Sequence, residues 1–279
     1  MNIKLVGDMS FELPGAGVPE DLLCRYGTSR LMCRGPRRTL KEPYVAFLGG
    51  SETFGRFVDQ PFVAQIEQAL ERPCINLGSA NAGLDAYAQD PELLRIAATA
   101  RISVVQVMGA QNLSNRYYRV HPRRNDRFLA PSPLLTSIYG EIDFTEFHFN
   151  KHLLNTLKSQ SARRFQVVCT ELQEIWLARM RLLLGFLPQK PVLLWLRYPK
   201  DEKSPLGPEP LLITSAMLDR LSPEISGVVE VPVERVGNSE GLDNMRFGPL
   251  QAPAASNMIG PATHRLIARR VAAALRALL

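Results

Sequence analysis

The chain has 279 residues, 46% hydrophobic and 22% charged, an ordinary balance for a protein that buries a sizeable core, which excludes a disordered chain. Its length suits one domain with an insertion or a terminal arm better than two domains. The formal net charge is +6, from 33 Lys and Arg against 27 Asp and Glu, and it favours an anionic partner only where positive charges cluster.

Residues 1–43 hold turn-forming clusters (Pro14-Gly15 and Gly35-Pro36-Arg37-Arg38) and little periodicity, so they read as an arm laid over a domain spanning 44–279. The stretch Met1–Gly15 lacks the basic head and apolar segment of a secretion signal. No apolar run approaches the ~20 residues that cross a bilayer. The four cysteines, Cys24, Cys33, Cys74 and Cys169, match no zinc spacing. These features together predict a reduced, cytoplasmic protein that does not engage a membrane.

From Tyr44 onward, short continuous apolar runs alternate with helical patterns. The runs are Tyr44–Leu48, Cys74–Leu77, Ile102–Met108, Pro191–Leu196 and Gly227–Val231. Continuous rather than alternating apolar residues suit strands buried on both faces of a parallel sheet. Helices are predicted over Pro61–Leu70, Pro91–Ala100 (with Asp90 as cap), Glu171–Leu187 and Pro261–Leu279. The expected architecture is a three-layer α/β/α, flavodoxin-like domain with a parallel sheet of about five strands. Residues 113–170 interrupt the rhythm as a long insertion rich in Arg, Asn and aromatics, at the edge where such folds bind ligands.

The stretch Phe47-Leu48-Gly49-Gly50-Ser51-Glu52-Thr53-Phe54-Gly55-Arg56 carries the most chemistry. A buried strand enters two glycines and then a Ser, which places a hydroxyl on a tight turn beside free backbone N–H groups. Two other readings compete. Ser51 could simply cap backbone N–H groups, and Gly50 and Gly55 have the spacing of a phosphate loop. Against the phosphate loop, Arg56 replaces its Lys and Phe57 its Ser or Thr.

Three further strand ends extend the pattern, and together they resemble the SGNH (GDSL-like) hydrolase family. Gly49-Gly50-Ser51 resembles the family's nucleophile block, with Gly50 in place of its Asp. Asn76-Leu77-Gly78 resembles the second block, which implies that the Gly78 N–H points into an oxyanion hole. Gly109-Ala110-Gln111-Asn112 resembles the third, whose side-chain amide donates to the same oxyanion; Gln111 or Asn112 would supply it. The fourth block, Asp-x-x-His, is not matched. Aligning the final helix puts Met258 at the base and Ala255 at its acid, while His264 lies further along the helix. The resemblance therefore leaves His264, or His121 from the insertion, as the candidate base. The chain also resembles an uncharacterised proteobacterial family sharing the Met-Gly-Ala-Gln-Asn and Val-His-Pro-Arg-Arg-Asn-Asp-Arg stretches, with no activity attached.

Within Asn115–Phe128, the residues Arg116, Arg119, Arg123, Arg124 and Arg127 face only Asp126 as a local counter-charge. Arg forks suit phosphate, sulfate or carboxylate, so Arg116, Arg119, Arg123 and Arg124 are candidate substrate-binding residues; pairing with Glu141, Asp143 and Glu146 is the alternative. His148 and His152 share a helical spacing but have no evident third ligand, so no metal and no cofactor is implied. The expected function is hydrolysis or transfer of an ester-linked acyl group on a polar, anionic or saccharide substrate. The alternative is a catalytically degenerate protein of the same fold that binds an anionic ligand or partner. Nucleic acid fits less well, because the basic residues form no long stripe.

Overall fold

Four of the five continuous apolar runs become strands buried on both faces, whereas the last, Gly227–Pro232, is an edge strand that leaves Val228 and Glu230 exposed. The computed structural model describes residues 22–199, 205–239 and 241–279. Its central sheet has five strands: β1 (Val45–Leu48), β2 (Cys74–Asn76), β3 (Ile102–Gln106), β4 (Val192–Arg197) and β5 (Gly227–Pro232). They pair in parallel in the order β2-β1-β3-β4-β5. The helices used below are α1 (Ser51–Phe54), α2 (Phe62–Leu70), α3 (Leu84–Ala88), α4 (Pro91–Thr99), α5 (Asn150–Gln160), α6 (Ala162–Gly185) and α7 (Pro261–Arg276).

The two sheet faces divide the core. Val45, Phe47, Val104 and Leu194 pack with Ile66 of α2 and with Ile267 and Val271 of α7. Ala46, Leu48, Val105 and Leu193 pack with Leu93 of α4 and with Trp176 and Met180 of α6. This is a three-layer α/β/α domain, as expected. The chain leaves β1 toward β2 on one side and later returns through β3 on the other, and such reversal points open a crevice at the carboxyl ends of the strands.

Most strand and helix bounds fall within a residue or two of the sequence pattern; α7 ends at Arg276, three residues before Leu279, and α6 differs more. Helix α6 starts at Ala162, nine residues before Glu171. Ser161 caps it by accepting from the Arg164 N–H at 3.2 Å, and buried Phe165, Val168 and Leu172 extend its apolar stripe upstream. The insertion is correspondingly shorter. It contains an antiparallel pair, Tyr118–Val120 with Phe128–Pro131, followed by α5.

The described part of the arm is stitched to the domain. Leu23–Cys24 pairs with Cys33–Arg34, and Tyr26, Leu31 and Cys33 join the main core. The buried Arg34 guanidinium donates to the Gly55 and Val58 carbonyls at 2.8 and 3.0 Å. The expected arm stretch before residue 22 lies outside the described residues. All four cysteines are unpaired and buried. Among the described residues no helix is long and apolar enough to cross a membrane.

Candidate functional site

After β1 the chain turns through Gly49 and Gly50 into α1, whose first residue is Ser51. Gly49 has no space for a side chain: a Cβ there would sit 2.1 Å from Thr53 Oγ1 and 2.4 Å from Gln106 Oε1. Gln106, the last residue of β3, organises the turn. Its Oε1 accepts from the Gly50 N–H at 3.0 Å and from the Thr53 hydroxyl at 2.6 Å. Its Nε2 donates to Glu52 Oε2 at 2.9 Å. The other Glu52 oxygen accepts from the Tyr198 hydroxyl at 3.1 Å. Burial, and then the Glu52 carboxylate, push the Tyr198 phenol well above its ordinary range, so it remains a donor.

Ser51 Oγ accepts from the Asn81 N–H at 3.1 Å and donates to Asn81 Oδ1 at 3.3 Å. Asn81 reaches this position with a left-handed backbone (φ 60°), a conformation Asn tolerates better than most residues. The oxyanion role expected for Gly78 is corrected by this geometry. The Gly78 N–H is committed to Asn76 Oδ1 at 2.9 Å, and a Cβ on Gly78 would meet the Phe54 nitrogen at 2.5 Å. Gly78 is the point where α1 rests on the β2 loop, and the backbone donor facing Ser51 belongs to Asn81.

Ser51 opens onto a cavity of about 160 Å³ beyond the ends of β1, β3 and β4. Asn81, Gln111, Asn112, Asp126 and Tyr198 share its wall, together with the Glu52 and Glu209 carboxylates. The expected convergence of Ser51 with Gln111 and Asn112 at one rim of the sheet is therefore present. Asn112 Oδ1 accepts from Asn150 Nδ2 at 3.0 Å. Gln111 Oε1 and Asp126 Oδ1 are buried and accept no hydrogen bond. Burial raises the Asp126 carboxyl above the usual range, with Arg127 the largest opposing influence. Glu209 is neutralised by Lys151 at 2.7 Å and Arg235 at 3.1 Å.

The structure brings neither candidate base to this cavity. His264 is buried in the layer between α2 and α7, stacked on Phe62 with ring centroids 5.7 Å apart. Its Nδ1 accepts from the Phe62 N–H at 3.0 Å, and burial lowers its pKa to about 3. It is a neutral core histidine. His121 lines a different cavity, between the arm and α4. There its Nδ1 accepts from the Arg123 and Arg124 N–H groups at 3.2 and 3.1 Å. Burial and then those arginines depress its pKa. His148 precedes α5 rather than lying on it, and His152 packs edge-on to Phe147. Thus none of the chain's four histidines lines the Ser51 cavity. Among the described residues no three of His, Cys, Asp and Glu gather in a metal-binding group.

The candidate substrate-binding arginines also stand apart. Arg116, Arg119, Arg123 and Arg124 are exposed and none lines the Ser51 cavity. Arg116 pairs with Glu171 at 2.7 Å, whereas Glu141 is taken by Arg164. The loop's contribution to the site is Asp126, its one acid. Buried Asn125 holds that segment down, accepting from the Gly83 and Ala86 N–H groups at 2.7 and 3.1 Å and donating to the His121 carbonyl at 2.9 Å. A signal for Gln106 existed, a polar residue inside an apolar run, and Asn81 sits in a glycine-flanked turn. Tyr198 and Glu209 carry no local signal.

Fold and site together define a three-layer α/β/α protein with a serine at the rim of its parallel sheet and a cavity walled by amides and carboxylates. The chain belongs to a domain family of unknown function, DUF6473, whose match covers residues 9–279. Among solved structures it is similar to a lipase, Lip_vut3, from a goat rumen metagenome, at 11% identity and a TM-score of 0.39, over 85% of this chain and 97% of that one. No curated protein matches it.

Proposed function

We propose that the chain is an SGNH-like protein that binds a small polar ligand in the Ser51 cavity without hydrolysing it. What supports this reading is the set of groups around the hydroxyl. Ser51 is bonded to Asn81 through both a donor and an acceptor, and no imidazole stands in the cavity to remove its proton. A positioned base contributes ~10²–10⁴-fold to such chemistry, so a serine without one is a slow nucleophile. The segment where the family's base would fall is apolar instead, with Met258 and Ala255 packed against Phe57. The test is fluorophosphonate labelling together with turnover of activated acetyl and butyryl esters, comparing wild type with Ser51→Ala. The expected result is no adduct on Ser51 and equal background rates for the two proteins.

The second reading is the serine hydrolase or acyltransferase itself, acting on an ester of a polar or saccharide substrate. It is favoured by the position of Ser51 at a cavity whose wall also carries the Gln111 and Asn112 amides and the Asp126 carboxyl group. A Ser51 adduct, with turnover lost in Ser51→Ala, would establish this reading and refute the first.

A further inference from the structure

The short ribbon of the arm sets two cysteines face to face. Leu23–Cys24 and Cys33–Arg34 pair antiparallel, with Cys24 directly opposite Cys33. Opposite residues of such a pair project to the same face, and both of these side chains are buried in the core shared with the sheet. The Gly35 N–H donates to the Leu22 carbonyl, so the alternation of an antiparallel ladder makes Cys24 and Cys33 a hydrogen-bonded pair. Cα atoms of such a pair lie about 5.5 Å apart, inside the span of roughly 4.4–6.8 Å found in disulfides. Their Cβ atoms lie toward the wide end of about 4.5–5.5 Å, against about 3.5–4.5 Å in a disulfide. A bond between them therefore forms under strain and is readily reduced. The other two cysteines belong to different elements, β2 and α6.

The ribbon backs the loop that reaches Ser51. Cys33 forms a bridge with Ser79, and its Sγ donates to the Leu77 carbonyl at 3.6 Å. The Arg34 N–H donates to the Gly78 carbonyl at 3.3 Å, and the Ser79 N–H donates to the Gly49 carbonyl at 3.1 Å. The segment Leu77–Asn81 is thus held between the ribbon and the Gly49–Ser51 turn, and it ends at the residue that bonds Ser51.

We infer that Cys24 and Cys33 are a reversible disulfide site, closed by peroxide, whose closure displaces the Asn81 partner of Ser51. The inference depends on neither reading of the cavity. When the ribbon frays, the Cys24 thiolate attacks the peroxide O–O bond. A Cys24 sulfenic acid forms, and the departing hydroxide takes up the thiol proton as water. The Cys33 thiolate then attacks the Cys24 sulfur, the S–O bond breaks, and a second water leaves. Two thiols and one hydrogen peroxide give one disulfide and two waters, the sulfurs losing two electrons to the peroxide. Cys24 reacts first because it is the less buried of the two. Burial raises its thiol pKa, but the Tyr26 hydroxyl and the Arg37 charge oppose that rise. Closing the bond withdraws Cys33 Sγ from the Leu77 carbonyl and pulls on the strand that bridges Ser79.

The experiment exposes the full reduced chain to hydrogen peroxide, blocks the remaining thiols with iodoacetamide after denaturation, and maps tryptic peptides without reduction. Trypsin cuts after Lys4, Arg25, Arg30 and Arg34, so Cys24 and Cys33 fall on separate peptides that only a disulfide joins. The expected product joins peptide 5–25 to peptide 31–34 with loss of two hydrogens, and is undone by glutathione, while Cys74 and Cys169 remain alkylated. Amide chemical shifts of Ser79 and Asn81 are expected to move on oxidation of the wild type and to stay in place in Cys24→Ala. That variant keeps every methionine, so it separates the disulfide from methionine oxidation. Its melting temperature verifies that it is folded, and Cys24→Ser provides a second variant. Thiols that stay alkylatable, separate oxidation of the two cysteines, or a link from either to Cys74 or Cys169 would overturn the assignment. A Cys24–Cys33 link that resists glutathione would overturn its reversibility, and one that leaves both amides unmoved would overturn its connection to Ser51.

Discussion

Gly78 and His264 show how a residue's chemistry is decided by what stands next to it. A Cβ at Gly78 would strike backbone atoms of α1, which cannot swing aside as a side chain would. Gly78→Ala is therefore expected to cost about 1–3 kcal/mol in denaturant unfolding and to displace Ser51. His264 is neutral in the fold, with its pKa lowered to about 3 from an ordinary value near 6.5. Because the folded value is the lower one, the unfolded chain binds the proton more readily. The contribution of His264 is fully present above about pH 6.5 and is lost as pH falls toward 3, at up to ~1.4 kcal/mol per pH unit. His264→Asn is expected to flatten that acid limb in pH-resolved unfolding. Neither role was legible beforehand. A sequence shows that a His follows a glycine-proline pair, but not that Phe62, some two hundred positions earlier, will lie against its ring.

At the scale of elements, strands were more legible than helix starts. A strand covered on both faces has few polar positions to spare, so β1 and β4 announced themselves as unbroken apolar runs up to their last residues. The first turns of α6 did not, because Arg163, Arg164 and Gln166 occupy their outer face and dilute the stripe made by Phe165 and Val168. Ser161→Ala is expected to lower stability by about 1 kcal/mol through loss of the cap. Asn125 connects two elements that no periodicity links, the hairpin of the insertion and the start of α3. Asn125→Ala leaves the buried Gly83 N–H without its acceptor and the Ala86 N–H with only the Gly83 carbonyl at 3.3 Å. The expected cost is about 2–3 kcal/mol, with selective loss of hydrogen-exchange protection at those two amides and with Asp126 released from the cavity wall.

Across the whole molecule, the described part of the arm, residues 22–43, belongs to the fold rather than resting on it. Tyr26, Leu31 and Cys33 fill the same core as β1 and α4, and Arg34 closes the loop that follows α1. A chain beginning at Tyr44 would expose that surface and leave the Gly55 and Val58 carbonyls without their donor. Circular dichroism of such a truncation is expected to show loss of a cooperative thermal transition. The site was readable to the extent that it is assembled from strand ends, hence Ser51, Gln111 and Asn112. It was unreadable where distant loops close over those ends, as with Tyr198 and Glu209.

The unpaired thiols give the molecule a set of internal clocks. Burial pushes Cys74 up to about 12 and Cys169 up to about 11, and raises Cys24 and Cys33 as well. Alkylation needs both an ionised sulfur and an open route to it, and the native fold denies both. Each thiol then reacts only when its own neighbourhood opens: Cys24 and Cys33 in the arm, Cys74 at the start of β2, Cys169 within α6. The order in which iodoacetamide reaches them would chart which region of the protein lets go first.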